Sequence, residues 1–122
     1  MKTSVEGGWG ESKAAEYLRK KDYEIVAANY RSRFGEIDLI ALKDDIVAFI
    51  EVKTRQKSDF ARPMEAVTPF KMRKIVSTAM LWLQSNKCEK QPRFDVIEVY
   101  TGENLTQKPK KIEHIENVYI GW

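Results

Sequence analysis

The segment RFGEIDLIALKDDIVAFIEVKTR, from Arg33 to Arg55, restricts the possible folds more than any other part of the chain. Two apolar stretches are joined by the turn-forming pair Asp44–Asp45, a pattern that predicts a β-hairpin. Strands that are apolar on both faces lie in the middle of a sheet that is covered on both sides. One face of this hairpin carries Ile37, Leu39, Ala41, Ala48, Ile50 and Val52, and the other carries Ile40, Leu42, Val47 and Phe49.

The patterns around the hairpin predict the element order αβββαβ. A first helix is indicated over residues 11–21, where Ala14, Ala15 and Leu18 share one face. Thr68 and Pro69 are typical of the cap and first position of a second helix, which ends near Asn86. YEIVAANY, RFDVIEVY and, less regularly, IEHIENVYI supply the other strands. We expect one α/β domain over residues 1–122, with a mixed central sheet flanked by helices.

Composition narrows the class of protein. Hydrophobic residues make up 43% of the chain and charged residues 32%, which is ordinary for a soluble globular protein. No apolar run approaches the roughly 20 residues of a membrane-spanning helix, and the segment MKTSVEGGWGES lacks the apolar core of a secretory signal. Cys88 is the only cysteine, which excludes an internal disulfide. We therefore expect a cytoplasmic protein without a membrane partner.

The hairpin carries a carboxylate on each strand, Asp38 and Glu51. A two-residue turn pairs Leu42 with Val47 and continues to place Asp38 across from Glu51; a four-residue loop preserves this pairing, whereas an odd loop separates the acids onto opposite faces. Opposed side chains have Cβ atoms about 5 Å apart, so like charges there repel. Because unpaired carboxylates are unfavourable inside a protein, we expect a positive charge between them.

Two sources of that charge remain open from the residues alone. Lys53 lies on the same face as Glu51 and could complete a buried structural ion triad. Alternatively, Asp38 and Glu51 bind a divalent metal, since Mg²⁺ or Mn²⁺ takes one or two carboxylates together with waters and phosphate oxygens. In that arrangement Lys53 would orient the attacking water or stabilise charge on a phosphate.

Glu11 is a third candidate acid. It shares the inward face of the first helix with Ala14, Ala15 and Leu18, where an apolar residue is otherwise expected. The alternative is that a glutamate in the first turn points to solvent and interacts with the helix dipole. Glu36 falls on the other face of its strand from Asp38 and is less suited to share a metal.

Basic residues are concentrated near these acids, although the net charge of +3 is too small to indicate a partner by itself. Lysine and arginine supply most sequence-independent contacts to phosphates, but a solvated surface explains such residues equally well. The candidates for nucleic-acid binding are Arg31, Arg33, Arg55, Arg62, Lys71, Arg73 and Lys74. Asp95 is expected to be structural, paired with Arg93 or with a basic residue of the second helix, and the lone histidine, His114, is expected to be structural or exposed.

Several motifs together resemble a known family. They are GWGESKAAEYL, NYR, GEIDLIA, FIEVKTR, AVTPFK, RFDVIEV and HIENVYIGW. These motifs cover essentially the whole chain and are similar to those of the YraN-like family of small bacterial proteins, which are described as endonucleases. Within αβββαβ, the aspartate followed after about a dozen residues by Glu-x-Lys also resembles the PD-(D/E)XK nuclease superfamily and its archaeal Holliday-junction resolvases.

The resemblance implies a restriction-endonuclease-like fold and a metal site. It assigns Mg²⁺ or Mn²⁺ to Asp38, Glu51, the backbone carbonyl of Val52 and the helix residue Glu11, with Lys53 as the catalytic ammonium. The implied activity is hydrolysis of DNA phosphodiester bonds, on branched or recombination and repair intermediates, by a homodimer. The rival is a non-catalytic nucleic-acid-binding or adaptor protein with the same fold.

The chain departs from the patterns at two positions. Ile37 stands where many members of the superfamily have proline before the aspartate. Ala61 stands near an expected glycine, which affects the expected conformation of the basic loop rather than the metal site.

Overall fold

The computed structural model describes residues 4–56, 68–102 and 108–118. The elements are α1 (Ser4–Lys20), β1 (Glu24–Arg31), β2 (Glu36–Lys43), β3 (Ile46–Arg55), α2 (Pro69–Ser85), β4 (Gln91–Tyr100) and β5 (Lys111–Ile115). The predicted order αβββαβ is confirmed, and β5 is the additional strand. The first helix begins earlier than the pattern around Glu11 indicated.

The five strands form one mixed sheet in the order β1-β2-β3-β4-β5. All neighbours are antiparallel except β3 and β4, which are parallel. Parallel neighbours need a long crossover connection, and α2 lies in the segment between β3 and β4. This is the α/β fold that the hairpin predicted, and it is compatible with a restriction-endonuclease-like core. Neither of the two helices in the described parts of the chain is long and apolar enough to cross a membrane.

The helix α1 packs closely against one face of the sheet. Its fully buried residues Ala14 and Leu18 lie in a cluster with alternate residues of β2, β3 and β4, including Ile50 and Ile97. The approach is closest at Gly10, where an added Cβ atom would overlap the hydroxyl oxygen of Thr54. Glycine at this position therefore determines how near the following residues of α1 come to β3.

The helix α2 covers the opposite face. Met72, Ala79 and Trp82 are buried over the sheet, and the rings of Trp82 and Phe49 meet edge to face at 6.0 Å between centroids. The helix begins as predicted, because the Thr68 hydroxyl accepts a hydrogen bond from the Lys71 amide at 3.1 Å. The two helices thus bury the two apolar faces of the central strands.

One residue of the hairpin packs differently from the prediction. Ile37 was expected on the face of Leu39, but it lies in the α2 cluster together with Ile40. Strict alternation along β2 therefore breaks at Asp38. In β1, the position between the pairs Ala28–Leu39 and Tyr30–Ile37 is Asn29, which has a positive φ of 53°. A residue in this region departs from regular strand geometry, and it lies beside the point where β2 changes face.

A buried polar network joins β4 to β5. Asp95 accepts a hydrogen bond from Arg93 at 2.8 Å, so the predicted pairing is confirmed. The same carboxylate accepts from His114 Nε2 at 2.8 Å and from the Asn117 backbone at 3.0 Å. Burial opposes ionisation, but the hydrogen bonds from His114 and Arg93 outweigh it and hold the pKa of the Asp95 carboxyl below its ordinary value. His114 is thereby structural.

Asp95→Asn is expected to reduce the free energy of unfolding by about 3–5 kcal/mol at pH 7, because Arg93 is left without its buried partner. A carboxyl whose pKa is depressed by folding stabilises the protein above its unfolded pKa of about 3.9, and this contribution is lost as pH falls through the folded value. Urea unfolding at pH 7 and in acid should therefore show the difference between variant and wild type shrinking in acid. Asp45→Asn, at an exposed turn position, is the control; a difference independent of pH would contradict the prediction.

Gly10→Ala is expected to destabilise the protein by about 1–2 kcal/mol, because overlap with Thr54 exceeds the gain in helix propensity. Gly8→Ala is the matched control, since an added Cβ there meets nothing within 4 Å. It should stabilise the protein by about 0.5–1 kcal/mol through helix propensity alone. Chemical denaturation measures both, and Thr54→Ala combined with Gly10→Ala should recover part of the loss. Equal stabilisation by the two alanines would contradict the close approach.

Candidate functional site

The candidate site lies where β2 and β3 separate. Their ladder runs from Lys43–Ile46 to Leu39–Ile50, the register that was predicted, and the next two residues are Asp38 and Glu51. β3 continues to Arg55 paired with β4. We call the point of separation the fork, formed by Asp38 on β2 and Glu51–Val52 on β3.

The carboxylate of Asp38 takes part in the backbone structure of the fork. Its Oδ2 atom accepts a hydrogen bond from the Val52 amide at 2.8 Å. Val52 lies beyond the end of the β2–β3 ladder, so a side-chain oxygen supplies the acceptor on this side of β3. The contact holds Asp38 against the peptide bond that joins Glu51 to Val52.

The carboxylate of Glu51 has two different oxygen environments. Its Oε1 atom accepts a hydrogen bond from Lys71 Nζ at 2.9 Å. Its Oε2 atom is buried and has no hydrogen-bond partner within the described parts of the chain. The Glu51 side chain as a whole is 24% exposed, so solvent reaches other atoms of this side chain but not Oε2. A buried carboxylate oxygen without a hydrogen-bond partner is unfavourable in a folded protein, so this oxygen needs a donor or a cation beyond those that the described residues supply.

Lys71, in the first turn of α2, supplies a positive charge beside Glu51. The sequence placed this lysine among the phosphate contacts and suggested Lys53 as the partner of Glu51. No local pattern could identify the Lys71–Glu51 pair, because it depends on how α2 crosses the sheet. The N-cap at Thr68 fixes the start of the helix and hence the turn from which Lys71 extends.

Lys53 and Val52 keep the positions that the hairpin predicted. Val52 is fully buried in the α1 cluster, and Lys53 is partly buried two residues beyond Glu51 on β3. In the parallel register with β4, Lys53 is level with Glu98. The catalytic role of the lysine and the ligand role of the Val52 carbonyl stay predictions.

Glu11 lies near the fork on the α1 side. The Asn29 amide, with its nitrogen oriented towards the acids, donates to Glu11 Oε1 at 2.7 Å and to Glu36 Oε1 at 3.1 Å. Because the β1–β2 register places Asn29 level with Asp38, this amide links Glu11 to the strand that carries Asp38. This role of Asn29 was not predicted, and the NYR motif is the sequence signal that contains it. Within the described residues, no three or more His, Cys, Asp or Glu side chains group to hold a metal by themselves.

The basic residues that were predicted to bind nucleic acid lie in different environments. Arg55 is largely buried, with its Nε atom 3.0 Å from Glu98 Oε2, so the structure gives it a part in joining β3 to β4. Arg31 is exposed and lies 3.3 Å from Glu36. Arg33, Arg73 and Lys74 are exposed and lie beside aromatic rings. Arg62 lies outside the described residues. Contact of these residues with nucleic acid stays a prediction.

Comparisons with known proteins agree with the YraN-like resemblance of the motifs. The profile of the family described as "Uncharacterised protein family UPF0102" matches residues 10–99. A UPF0102 protein of Caldanaerobacter subterraneus is 46% identical over 115 residues, covering 93% of each chain. A second, from Syntrophomonas wolfei, is 42% identical over 93% of this chain and 96% of its own. A third, from Clostridioides difficile, is 40% identical over 98% of this chain and 100% of its own. The chain therefore belongs to the UPF0102 family.

Proposed function

We propose that this protein is a divalent-metal-dependent endonuclease that hydrolyses DNA phosphodiester bonds at the fork. The observation that carries the proposal is the buried Oε2 atom of Glu51, which has no hydrogen-bond partner in the described parts of the chain and lies one peptide bond from the residue that holds Asp38. Two carboxylates at the end of a ladder, one with an unused oxygen, are unfavourable as a structural feature alone. They are suitable ligands for a hard cation.

The donor set fits Mg²⁺ or Mn²⁺. Such ions need only one or two carboxylates when waters and substrate phosphates complete the coordination, so two acids suffice. Asp38, Glu51 and the Val52 carbonyl would hold the ion, and Glu11 would support them through Asn29. When bound, the ion would lower the pKa of a water molecule and offset charge on the phosphate.

The residues of the chain have separate roles in this proposal. The Val52 amide orients Asp38, and Lys71 orients Glu51 through Oε1, so both acids are positioned before substrate arrives. Lys53 extends from the same strand as Glu51 and offers an ammonium to the attacking water or to the phosphate. Arg31, Arg33, Arg73 and Lys74 are exposed and available to contact the phosphate backbone.

The substrate proposed for this site is branched DNA, such as recombination and repair intermediates. This step is an analogy with the resolvases that the motifs resemble, and a homodimer follows from it, because a junction presents paired scissile strands.

One observation favours a second candidate, a non-catalytic nucleic-acid-binding or adaptor protein. Lys71 already lies 2.9 Å from Glu51 and offsets its charge, as a structural ion pair would. In that case the fork would be scaffold, and the basic surface would bind nucleic acid without cutting it. Metal binding and cleavage distinguish the two candidates.

The first test measures metal binding through stability. A ligand that binds only the folded state raises its stability, by about 2.7 kcal/mol at a hundred times its dissociation constant. Mn²⁺ should therefore raise the melting temperature of the wild type, and Glu51→Gln should remove the effect. Lys71→Met should lower stability by less than about 1 kcal/mol without metal, because both members of the pair are partly exposed to solvent. It should also lower the half-saturating Mn²⁺ concentration by about two- to fivefold, since a competing cation is gone.

The control for Lys71→Met is Lys20→Met. This change removes a lysine from an exposed ion pair with Glu16 at the C-terminal end of α1. This variant should respond to Mn²⁺ as the wild type does. Absence of any thermal shift at millimolar Mn²⁺, in wild type and Lys71→Met alike, would favour the structural ion pair.

The second test measures cleavage of linear duplex, single-stranded and four-way-junction DNA. Wild type should cut at least one of these with Mn²⁺ or Mg²⁺ and none with chelator. Asp38→Asn should lower the rate by at least about a hundredfold, the scale of losing a major electrostatic contact, while leaving DNA binding intact. Asp45→Asn, in the exposed hairpin turn, should cut like the wild type. The endonuclease proposal fails if the wild type cuts nothing, or if Asp38→Asn cuts as fast as the wild type.

A further inference from the structure

Two exposed phenylalanines lie next to the candidate site. Phe70 is 61% exposed and Phe34 is 37% exposed. Each ring is accompanied by cations: Lys74 Nζ lies 4.5 Å and Arg73 Cζ 6.0 Å from the centre of the Phe70 ring. Arg33 Cζ lies 4.8 Å from the centre of the Phe34 ring. Aromatic rings and positive charge therefore occur together on this surface.

The two rings belong to one continuous surface. Phe34 lies in the Ser32–Gly35 turn, which is docked on α2 by a 2.9 Å hydrogen bond between the hydroxyls of Ser32 and Thr78. A Cβ atom added to Gly35 would lie 3.9 Å from the Cβ of Lys74, so the turn lies against the helix at that residue. Lys74 in turn reaches back to the Phe70 ring. We call this surface, made of Arg33, Phe34, Phe70, Arg73 and Lys74, the aromatic-basic patch.

The patch adjoins the fork through α2. Lys71 follows Phe70 directly in the first turn of the helix, and its Nζ atom contacts Glu51 Oε1. A chain of nucleotides lying over Phe70 would therefore have phosphates within reach of the residue that touches the candidate metal ligand.

The chemistry of the patch matches unpaired nucleotides better than paired ones. Bases in a duplex are stacked on each other, and their faces are not available to protein side chains. Proteins that hold single strands combine aromatic rings, on which bases stack, with basic residues that track the phosphates. A surface that bound only duplex backbone would need the cations but not the exposed rings.

We infer that the aromatic-basic patch binds a single-stranded segment of nucleic acid and leads it to the fork, with a base stacked on Phe70 and another on Phe34. The inference rests on the proposed function, because it names the substrate of that site: nucleic acid with an unpaired strand beside the scissile phosphate. The basic residues contact phosphates, and the aromatic rings select unpaired bases by stacking.

The experiment measures binding in the presence of EDTA, where cleavage does not occur. Fluorescence anisotropy is recorded for wild type, Phe70→Ala and Phe34→Ala with a labelled single-stranded DNA, a single-stranded RNA of the same sequence, and a blunt duplex. Phe70→Ala should weaken binding of the single strands about tenfold and leave duplex binding within about twofold, since stacking contributes only where bases are free. The DNA and RNA arms show which single strand the patch prefers.

Matched variants separate stacking from apolar contact and from charge. Phe70→Tyr should bind like the wild type, whereas Phe70→Leu should bind like Phe70→Ala. Met80→Ala, which removes an exposed apolar side chain about 15 Å further along α2, should change nothing. Lys74→Met should weaken binding of single strand and duplex alike and reduce the salt dependence of both. Because Phe70 is largely exposed, its variants should keep the wild-type melting temperature.

Quenching of 2-aminopurine in the single strand provides a direct signature of stacking. Wild type should quench the fluorescence, and Phe70→Ala should not. The inference is overturned if the phenylalanine variants bind single strands as the wild type does, or if they weaken duplex binding equally. A wild type that cuts DNA but ignores these substitutions would overturn this inference alone. A wild type that stacks single strands but cuts nothing would overturn the endonuclease proposal alone.

Discussion

The hydrogen bond from the Val52 amide to Asp38 Oδ2 is the contact on which the candidate site depends. The central strand β3 stays paired with β4 while its ladder with β2 stops after Leu39–Ile50. A side-chain oxygen supplies the acceptor beyond that point, so the strands separate without leaving the amide unpaired. The same bond holds the Asp38 carboxylate at the peptide bond that follows Glu51, and the backbone requirement thus brings both acidic residues to the fork.

The acidic pair is completed from α2. Helix and sheet come together through the apolar contacts of Met72, Ala79 and Trp82, and the first turn of the same helix carries Lys71 to Glu51. One oxygen of Glu51 is then neutralised and the other is buried without a partner in the described residues. In the proposed function this second oxygen would be a ligand for the metal, and the contact with Lys71 would hold the acid in position.

Local sequence patterns predicted much of the fold around the candidate site. The short turn at Asp44–Asp45 determined the hairpin register, and Thr68–Pro69 determined where α2 begins, because both depend on neighbouring residues. The prediction for Ile37 was wrong, because strand alternation was assumed to continue through Asp38. The buried contact of Arg55 with Glu98 was not foreseen, since it joins strands that are adjacent only through the crossover.

By itself, the sequence determined the element order, the hairpin register from Lys43–Ile46 to Leu39–Ile50, and the cap that starts the second helix. These follow from periodicity and turn chemistry, which act over a few residues. Only the tertiary structure decided which lysine meets Glu51, which oxygen remains unpaired, and that the Phe34 turn lies against α2 beside Lys74. Those contacts join residues far apart in the chain, and packing of helices on the sheet, which no local pattern records, sets their distances.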